Sequence, residues 1–481
     1  MKIFYAICTT EHFTRQSPII CELLRRGHQI RIEFRNWRAF ADLKSLEFID
    51  EREKNISFGP LPQREGRWRN VIWAIRKTRS HLSYSFRSGQ SALYLERSKK
   101  RIPEALRKVF DLHPLLSMVI YSRWFYMLLG LLHKLFPSAA NIRGHLAEFA
   151  PDVVVAAPGN VNNSEEIEYV LAARDLGIGS VIPVSNWDSL STKQLVHVVP
   201  DALLVWNEIM AREARYIHHV PPERIIVVGS PWLYQSTVIS GQMSRREFCK
   251  QAGLPDDGPF CLYLGSSENI VGEREIPVIE EFAASLRKCP QTQNINVLVR
   301  AHPENCKHYV GYKSRVPGVV FFPQPGAWPN LIESRQALKN SIEYCLAAVG
   351  INSTSMLDTL VNDRPCVAIL SHRFDETQAG AVHFNQLVEA GVVELAESAD
   401  AAANWIATLH LKGETEDKKL RRQRFVTNFA KPLGNDMSPV EAIATAIEQI
   451  ASGKNATQVK EHIAQMIAAR KEQSAACLVR N

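Results

Sequence analysis

LAAVGINSTSMLDTLVNDRPCVAIL, residues 346–370, carries the decision about the fold. It reads as strand, small polar loop, helix, turn, strand. A strand that returns through a helix to a second strand needs a crossover, and crossovers join parallel strands. Gly350 and the polar run to Ser355 lie where the first strand ends and the helix begins. Such a loop offers backbone N–H groups, hydroxyl donors and the positive end of a helix dipole to an anion. Ser353 or Thr354 acting as an ordinary N-cap is the competing reading.

The same rhythm extends on both sides. PFCLYLGSS (259–267) is an apolar strand running into small residues, a helix is expected over about 274–288, and INVLVRAHP (295–303) and VVFFP (319–323) are further strands. In the first half KIFYAIC (2–8) is a strand and TTEHFTRQSP a loop. IICELLRRG is then a helix stopped by Gly27, and HQIRIEF (28–34) an alternating strand. The pattern resumes at PDVVVAAPG (151–159), the helix EEIEYVLAARDLG, SVIPVS (180–185), ALLVW (202–206), a short helix to about 218, and RIIVVGSP (224–231). Residues 232–242 read as a linker. Two parallel-sheet α/β domains follow: an N-terminal one over 1–235 with a basic helical insertion at about 61–145, and a C-terminal one over 236–415. Charged helices and a tail are expected over 416–481.

A chain of 481 residues is long enough for two or three domains, and 46% hydrophobic with 22% charged residues is ordinary for a globular protein. The net charge of +7 is regional: residues 61–110 hold 13 Lys/Arg against 3 Asp/Glu, while the rest of the chain holds 44 against 47. Trp68, Trp73, Tyr84, Phe86 and Tyr94 interleave that basic stretch, a combination suited to an anionic membrane surface. No nucleic-acid motif accompanies the charge, so nucleic acid is not expected as a partner. LLSMVIYSRWFYMLLGLLHKLF (115–136) is long enough to span a bilayer. Arg123 at its middle makes it a buried or interfacial helix instead. MKIFYAICTTEHF is too short an apolar run for a signal peptide. The nine cysteines are scattered without a CxxC pair, as buried small hydrophobes of a reducing compartment would be. No DxD motif and no zinc spacing are present, so neither metal nor cofactor is expected.

Five polar motifs fall at strand ends, where ligands of parallel sheets bind. In GINSTS and its helix the candidates are Asn352, Ser353, Thr354, Ser355 and Asp358. In RAHP, Arg300 supplies a planar fork for phosphate, His302 a donor for charge on a leaving phosphate, and Pro303 the turn. In GSSE, Gly265, Ser266 and Ser267 permit close approach of a ligand to the backbone. In SNWDSLSTK, Asn186, Trp187, Asp188 and Lys193 share one loop. Asp188 is a candidate general base and Lys193 a partner for phosphate or carboxylate, with an Asx-type turn over a packed Trp187 as the structural alternative. In TTEH, Glu11 and His12 are the other base candidates.

Several stretches resemble one family. LLRRGHQIRI is similar to the opening unit of GT-B glycosyltransferases. NSTSMLDTLVNDRPCVA resembles their donor-diphosphate segment, in which the helix acid contacts the ribose; here that position is Asp358, where Glu is commoner. Arg-x-His-Pro, about 50 residues ahead of that loop, resembles the element of bacterial enzymes using CMP- or CDP-activated donors: Kdo and sialic acid transferases and CDP-glycerol glycerophosphotransferases. SNWDSLSTKQ…PDALLVWNEIMAREA…PPERIIVVGSP resembles bacterial polysaccharide-associated GT-B proteins, and PLGNDMSPVEAIATAI (432–447) the segment that returns to the domain boundary. The resemblance implies two Rossmann-like domains facing across a cleft. It implies a metal-independent glycosyltransferase, cytoplasmic or peripheral on the inner face of the membrane. Such an enzyme moves a sugar from a nucleotide-sugar donor to a cell-surface glycan or lipid-linked acceptor. Alternatives are a polyol-phosphate transferase, a UDP-GlcNAc 2-epimerase-like enzyme, and a non-catalytic glycan-binding scaffold.

Overall fold

The computed structural model describes residues 1–37, 54–87, 91–110, 112–157, 165–193, 195–239, 241, 243–272, 275–324 and 332–479. The chain forms two compact units, one of Met1–Pro231 with Phe429–Asn481 and one of Trp232–Asn428.

Among the described residues the first unit is built on seven strands: β1 Lys2–Ile7, β2 Gln29–Phe34, β3 Ile56–Pro60, β4 Val153–Ala157, β5 Gly179–Pro183, β6 Ala202–Val205 and β7 Ile225–Val227. Their order is β3-β2-β1-β4-β5-β6-β7, with every pairing parallel. Alternate side chains of β1 enter opposite cores, as the period of two requires. Ile3, Tyr5 and Ile7 join the helices Thr10–Arg25 and Pro439–Ala451, whereas Phe4 and Ala6 meet Ile142, Leu146 and Tyr169. Burial on both faces explains why β1 and β4 are nearly unbroken apolar runs.

The C-terminal part of the chain divides. The expected separate segment from 416 instead contributes everything after Phe429 to the first unit. The cause is the helix Pro439–Ala451, which buries Ala442, Ile443, Ala446, Ile447 and Ile450 in that core. Glu448 fixes it to the first βαβ unit through Arg26 at 2.6 Å and His28 at 2.7 Å.

Two local expectations are corrected. TTEH is not a loop: Thr9 is the N-cap, accepting from the His12 N–H, and the helix starts at Thr10 and continues through Pro18. Proline removes the N–H that would bond the Thr14 carbonyl, and the Ser17 hydroxyl takes that carbonyl at 2.8 Å. The apolar stretch 115–136 is not one helix but two, Pro114–Ile120 and Arg123–Leu135, because Ser122 caps the second by accepting from the Phe125 N–H. No single helix among the described residues is long and apolar enough to cross a membrane. These two pass that test only together, and they are bent by 56°.

The segment between β3 and β4 is helical: Arg69–Ser85, Ala92–Lys100, Glu104–Phe110, the two helices just named, and Ala140–Phe149. Leu82, Ile102, Phe110, Ile120, Tyr126 and Leu129 give it a small core. The opposite surface of 112–135 leaves Leu112, Leu115, Met118, Trp124, Met127, Leu131 and Leu135 exposed.

The second unit holds β8 Phe260–Leu264, β9 Asn296–Arg300, β10 Val319–Phe321, β11 Ala348–Gly350, β12 Cys366–Ile369 and β13 Glu394–Ala396. The order is β10-β9-β8-β11-β12-β13, again all parallel. Its core gathers Tyr263, Phe282, Val297, Val299, Val349 and Ile406. The expected linker over 232–242 is instead mostly helix, Pro231–Val238. Both sheets reverse strand order once, between β1 and β4 and between β8 and β11, the points at which doubly wound sheets bind ligands.

Candidate functional site

In the second unit, Leu264 at the end of β8 pairs with Arg300 of β9 on one side and with Gly350 of β11 on the other. GSSE, AHP and INSTS therefore leave the carboxyl edge of the sheet at one level, around its switch point. Glycine is required twice. A Cβ on Gly265 would lie 2.8 Å from the His302 nitrogen and 2.9 Å from the Arg300 oxygen, and one on Gly350 would lie 2.9 Å from the Leu264 oxygen.

Arg300 is buried. Its Nη2 donates to the Ser334 carbonyl at 2.8 Å and hydroxyl at 2.9 Å, while Nη1 has no hydrogen-bond partner among the described residues. Burial lowers its pKa to about 10 against the opposing charge of Asp358, which is itself buried. Nδ1 of His302 accepts from the Glu304 N–H at 3.2 Å. In the neutral ring this assigns the proton to Nε2, making His302 a donor. Pro303 begins the short helical turn that follows.

The helix Ser355–Val361 begins after Thr354, whose side chain makes no capping bond, and its Thr359 hydroxyl donates to the Ser355 carbonyl. Ser353 is buried, and its carbonyl accepts the Met356 N–H. Asn352 is held inside: its amide nitrogen donates to the Thr377 carbonyl at 2.9 Å and its N–H to the Ser266 hydroxyl. The Ser266 N–H donates to Glu275 at 2.8 Å, and the Ser267 carbonyl accepts from Ile270. Glu275, fully buried and also bonded by the Tyr309 hydroxyl at 2.6 Å, has its pKa raised to about 7 by burial. It props up the GSSE loop. Nothing in the sequence marks it, because its role arises from the turn between β8 and its helix.

The first unit assembles TTEH with SNWDSLSTK. Arg15 bonds Glu11 at 2.9 Å and reaches the Ser185 carbonyl at 3.4 Å, and the Gln16 amide reaches the Ser185 hydroxyl. Lys193 lies 2.8 Å from Asp188. The intervening Ser189–Lys193 is a π-helical turn, a feature common at functional sites, anchored as Thr192 donates to the Asp188 carbonyl. Trp187 packs beneath, edge-on to Phe429 at 6.2 Å. Asn186 is buried, with no partner for Oδ1 among the described residues.

His12 is buried, with Nδ1 2.6 Å from the Thr9 hydroxyl and Nε2 without a partner among the described residues. Burial, against the carboxylate of Glu11 and helped by Arg15, Lys193 and Arg35, pushes it down to about 4, so the ring is neutral at pH 7. Burial tends to raise Glu11, but Arg15, His12 and Lys193 prevail and hold its carboxyl at about 2. Arg15 and Arg35 escaped sequence reading. Arg15 is legible once TTEH is placed on a helix, where it stands four residues after Glu11. Glu166 also escaped: fully buried, 4.0 Å from Arg35, its pKa raised to about 7 by burial. Among the described residues no three His, Cys, Asp or Glu side chains gather as a metal site.

No protein-family model matches the chain, and no curated protein matches it in sequence. Solved structures do. A Listeria monocytogenes protein described as a candidate UDP-N-acetylglucosamine 2-epimerase is similar with a TM-score of 0.55 at 10% identity, over 95% of this chain and 98% of that one. MnaA of S. aureus, solved with UDP, gives 0.54 at 11% identity over 94% and 97%. A glycosyltransferase from Rickettsia africae gives 0.50 at 9% identity over 94% and 99%. These likenesses define the class of fold, the GT-B type with two parallel-sheet units.

Proposed function

We propose that the protein is a metal-independent glycosyltransferase whose second unit holds the phosphates of a nucleotide-sugar donor and whose first unit holds the acceptor. The observation that carries the reading is the single level at which Arg300, Gly350 and the GSSE loop leave the second sheet. Arg300 Nη1 and the His302 Nε2–H are the groups suited to negative charge that grows on the departing phosphate. Gly265 and Gly350 keep the backbone open for it, and Ser353, Thr354 and Ser355 add donors.

Of the three base candidates, His12 fits best. It is neutral at working pH, its Nδ1 is oriented by Thr9, and its Nε2 is without a partner among the described residues. In the proposed step His12 takes the proton of the acceptor hydroxyl as that oxygen bonds to the anomeric carbon of the sugar, and the carbon–phosphate oxygen bond breaks to release the nucleotide. Asp188, paired to Lys193, orients that cation.

A cytoplasm-facing enzyme lying on an anionic membrane, and hence a lipid-linked acceptor, is the finer part of the proposal. It is supported by the exposed apolar face at 112–135 beside the basic segment 61–110.

Isothermal titration with CMP, CDP and UDP tests the donor assignment. Ser353→Ala with Thr354→Ala should lower the affinity of the preferred nucleotide at least tenfold without unfolding the chain, and unchanged affinity overturns it. Incubation with UDP-GlcNAc alone, followed by product analysis, separates a transferase from an epimerase. Only the latter converts the sugar without an acceptor.

A further inference from the structure

A cavity in the first unit lies between the insertion helices and the loop after β5. It encloses about 50 Å³, the space of about three or four waters, and is lined by Arg64, Arg69, Arg76, Lys77, Arg101 and Lys193. The two carboxylates at its wall do not balance these six cations. Glu168 is shared by Arg64 at 2.6 Å and Arg76 at 2.7 Å, and Glu165 accepts the Arg64 backbone N–H at 3.4 Å. Lys193 is matched by Asp188. Among the described residues no carboxylate pairs with Arg69, Lys77 or Arg101.

Lys77 is the decisive member. Only 4% exposed, its ammonium has as its contact the Trp73 ring, 5.5 Å from the centroid. Among the described residues it has no counter-charge, and burial of such an ammonium favours its neutral form until an anion arrives from outside to pair with it. The surroundings report the same positive field. Burial together with Arg101 and Arg35 pushes Lys77 down to about 7. The adjacent His133, which accepts from Arg76 Nε at 2.9 Å, is pushed down to about 3 by burial and by Arg76, Arg79 and Arg64.

We propose that this cavity takes one phosphoryl group of a phosphate or diphosphate, the remainder of the ligand lying at its open mouth, with the group held by Lys77, Arg101 and the rim residue Arg69. Two arginine forks and an ammonium suit the oxygens of a phosphoryl group better than a single carboxylate. Lys193 joins this cavity to the Glu11, His12 and Asp188 cluster, so an acceptor could present its phosphate here and its hydroxyl there. That role rests on the transferase reading; the anion site itself does not. The group arrives on a soluble phosphate ester or on a lipid phosphate, and the helix Arg123–Leu135 presents an apolar face on the same insertion.

The test is titration of inorganic pyrophosphate into the full chain and into Lys77→Met with Arg101→Met. Measured in the Ser353→Ala with Thr354→Ala background, so that pyrophosphate reports this cavity and not the proposed donor site, affinity should fall at least tenfold when Lys77→Met with Arg101→Met is added. Arg69→Ala, at an exposed position that cannot disturb the core, should lose a few-fold. In that background pyrophosphate should raise the melting temperature, and should not once Lys77→Met is added; in phosphate-free buffer Lys77→Met should melt no lower than wild type. Unchanged pyrophosphate affinity when Lys77→Met with Arg101→Met is added, or its loss already in the Ser353/Thr354 background, overturns the proposal. Failure of every nucleotide to bind would sink the donor assignment and leave this result standing. Geranyl diphosphate distinguishes the sources: tighter binding than pyrophosphate marks a lipid phosphate, equal binding a soluble ester.

Discussion

Lys193 sits 2.8 Å from Asp188 across one π-helical turn, and its charge also acts on Glu11 and His12. A carboxylate so engaged is a poor proton acceptor, because accepting the proton breaks the pair. His12 has no such commitment at Nε2. His12→Gln should therefore lower turnover about 10²-fold or more, with nucleotide affinity unchanged. Asp188→Asn should cost less and raise the KM for the acceptor instead. Nucleotide release measured with saturating donor decides between them. Full turnover in the His12 variant would return the base to Glu11 or Asp188.

The second sheet makes a structural prediction of its own. Gly265 has backbone against it, so Gly265→Ala brings a methyl carbon within 3 Å of the His302 nitrogen and the Arg300 oxygen. Backbone cannot swing aside as a side-chain tip can. The variant should lose about 1–3 kcal/mol in urea unfolding, in the range of an overpacked core, and nucleotide affinity should fall with it as RAHP is displaced. A stable variant with normal binding would mean that the two loops are not in register.

The parallel-sheet rhythm was legible because strands buried on both faces appear as apolar runs, as in CLYL of β8 and VLV of β9. The level shared by Arg300 and Gly350 was not, since register depends on pairing between strands distant in sequence. TTEH reads as a loop for a physical reason: Pro18 is a helix breaker by propensity, and the Ser17 hydroxyl that compensates it lies outside any propensity scale. Misplacing that boundary also hid Arg15. Asp188, Lys193, Glu11 and His12 each stand in a polar motif of the sequence, but only the fold unites two motifs about 175 residues apart.

Glu275 links the GSSE loop to pH. Its pKa rises from 4.5 in the unfolded chain to about 7 in the folded one through burial. The folded state therefore holds more protons between those values. The contribution of Glu275 is complete below pH 4.5 and is lost as pH climbs towards 7, by up to about 3 kcal/mol. Glu275→Gln keeps an acceptor for the Ser266 N–H and cannot ionise, so its stability should be flatter over that interval. Urea unfolding at pH 5, 6 and 7 checks this. Parallel pH profiles for the two proteins would show that the carboxyl is not protonated in the folded state.

The insertion leaves Met118 at 72%, Trp124 at 67% and Leu135 at 72% exposure, on two helices whose other faces supply Ile120, Tyr126 and Leu129 to a core. Apolar side chains so concentrated need a partner phase. The excess of Lys/Arg in the preceding fifty residues favours an anionic bilayer over a neutral one, at about 1 kcal/mol per cation near the surface. With the helices bent by 56° at Ser122, shallow insertion of the apolar edge explains the pattern better than spanning does. The chain should therefore sediment with phosphatidylglycerol vesicles and much less with phosphatidylcholine. Met118→Ser, Trp124→Ser and Met127→Ser together should weaken binding at least tenfold without lowering the melting temperature, because none of the three enters the core. High salt should weaken it too, by screening the cations. Equal binding to both vesicle types would remove the electrostatic part of the argument. A concentration-dependent dimer that disappears in the triple variant would give the face to a second copy of the chain instead of a lipid surface.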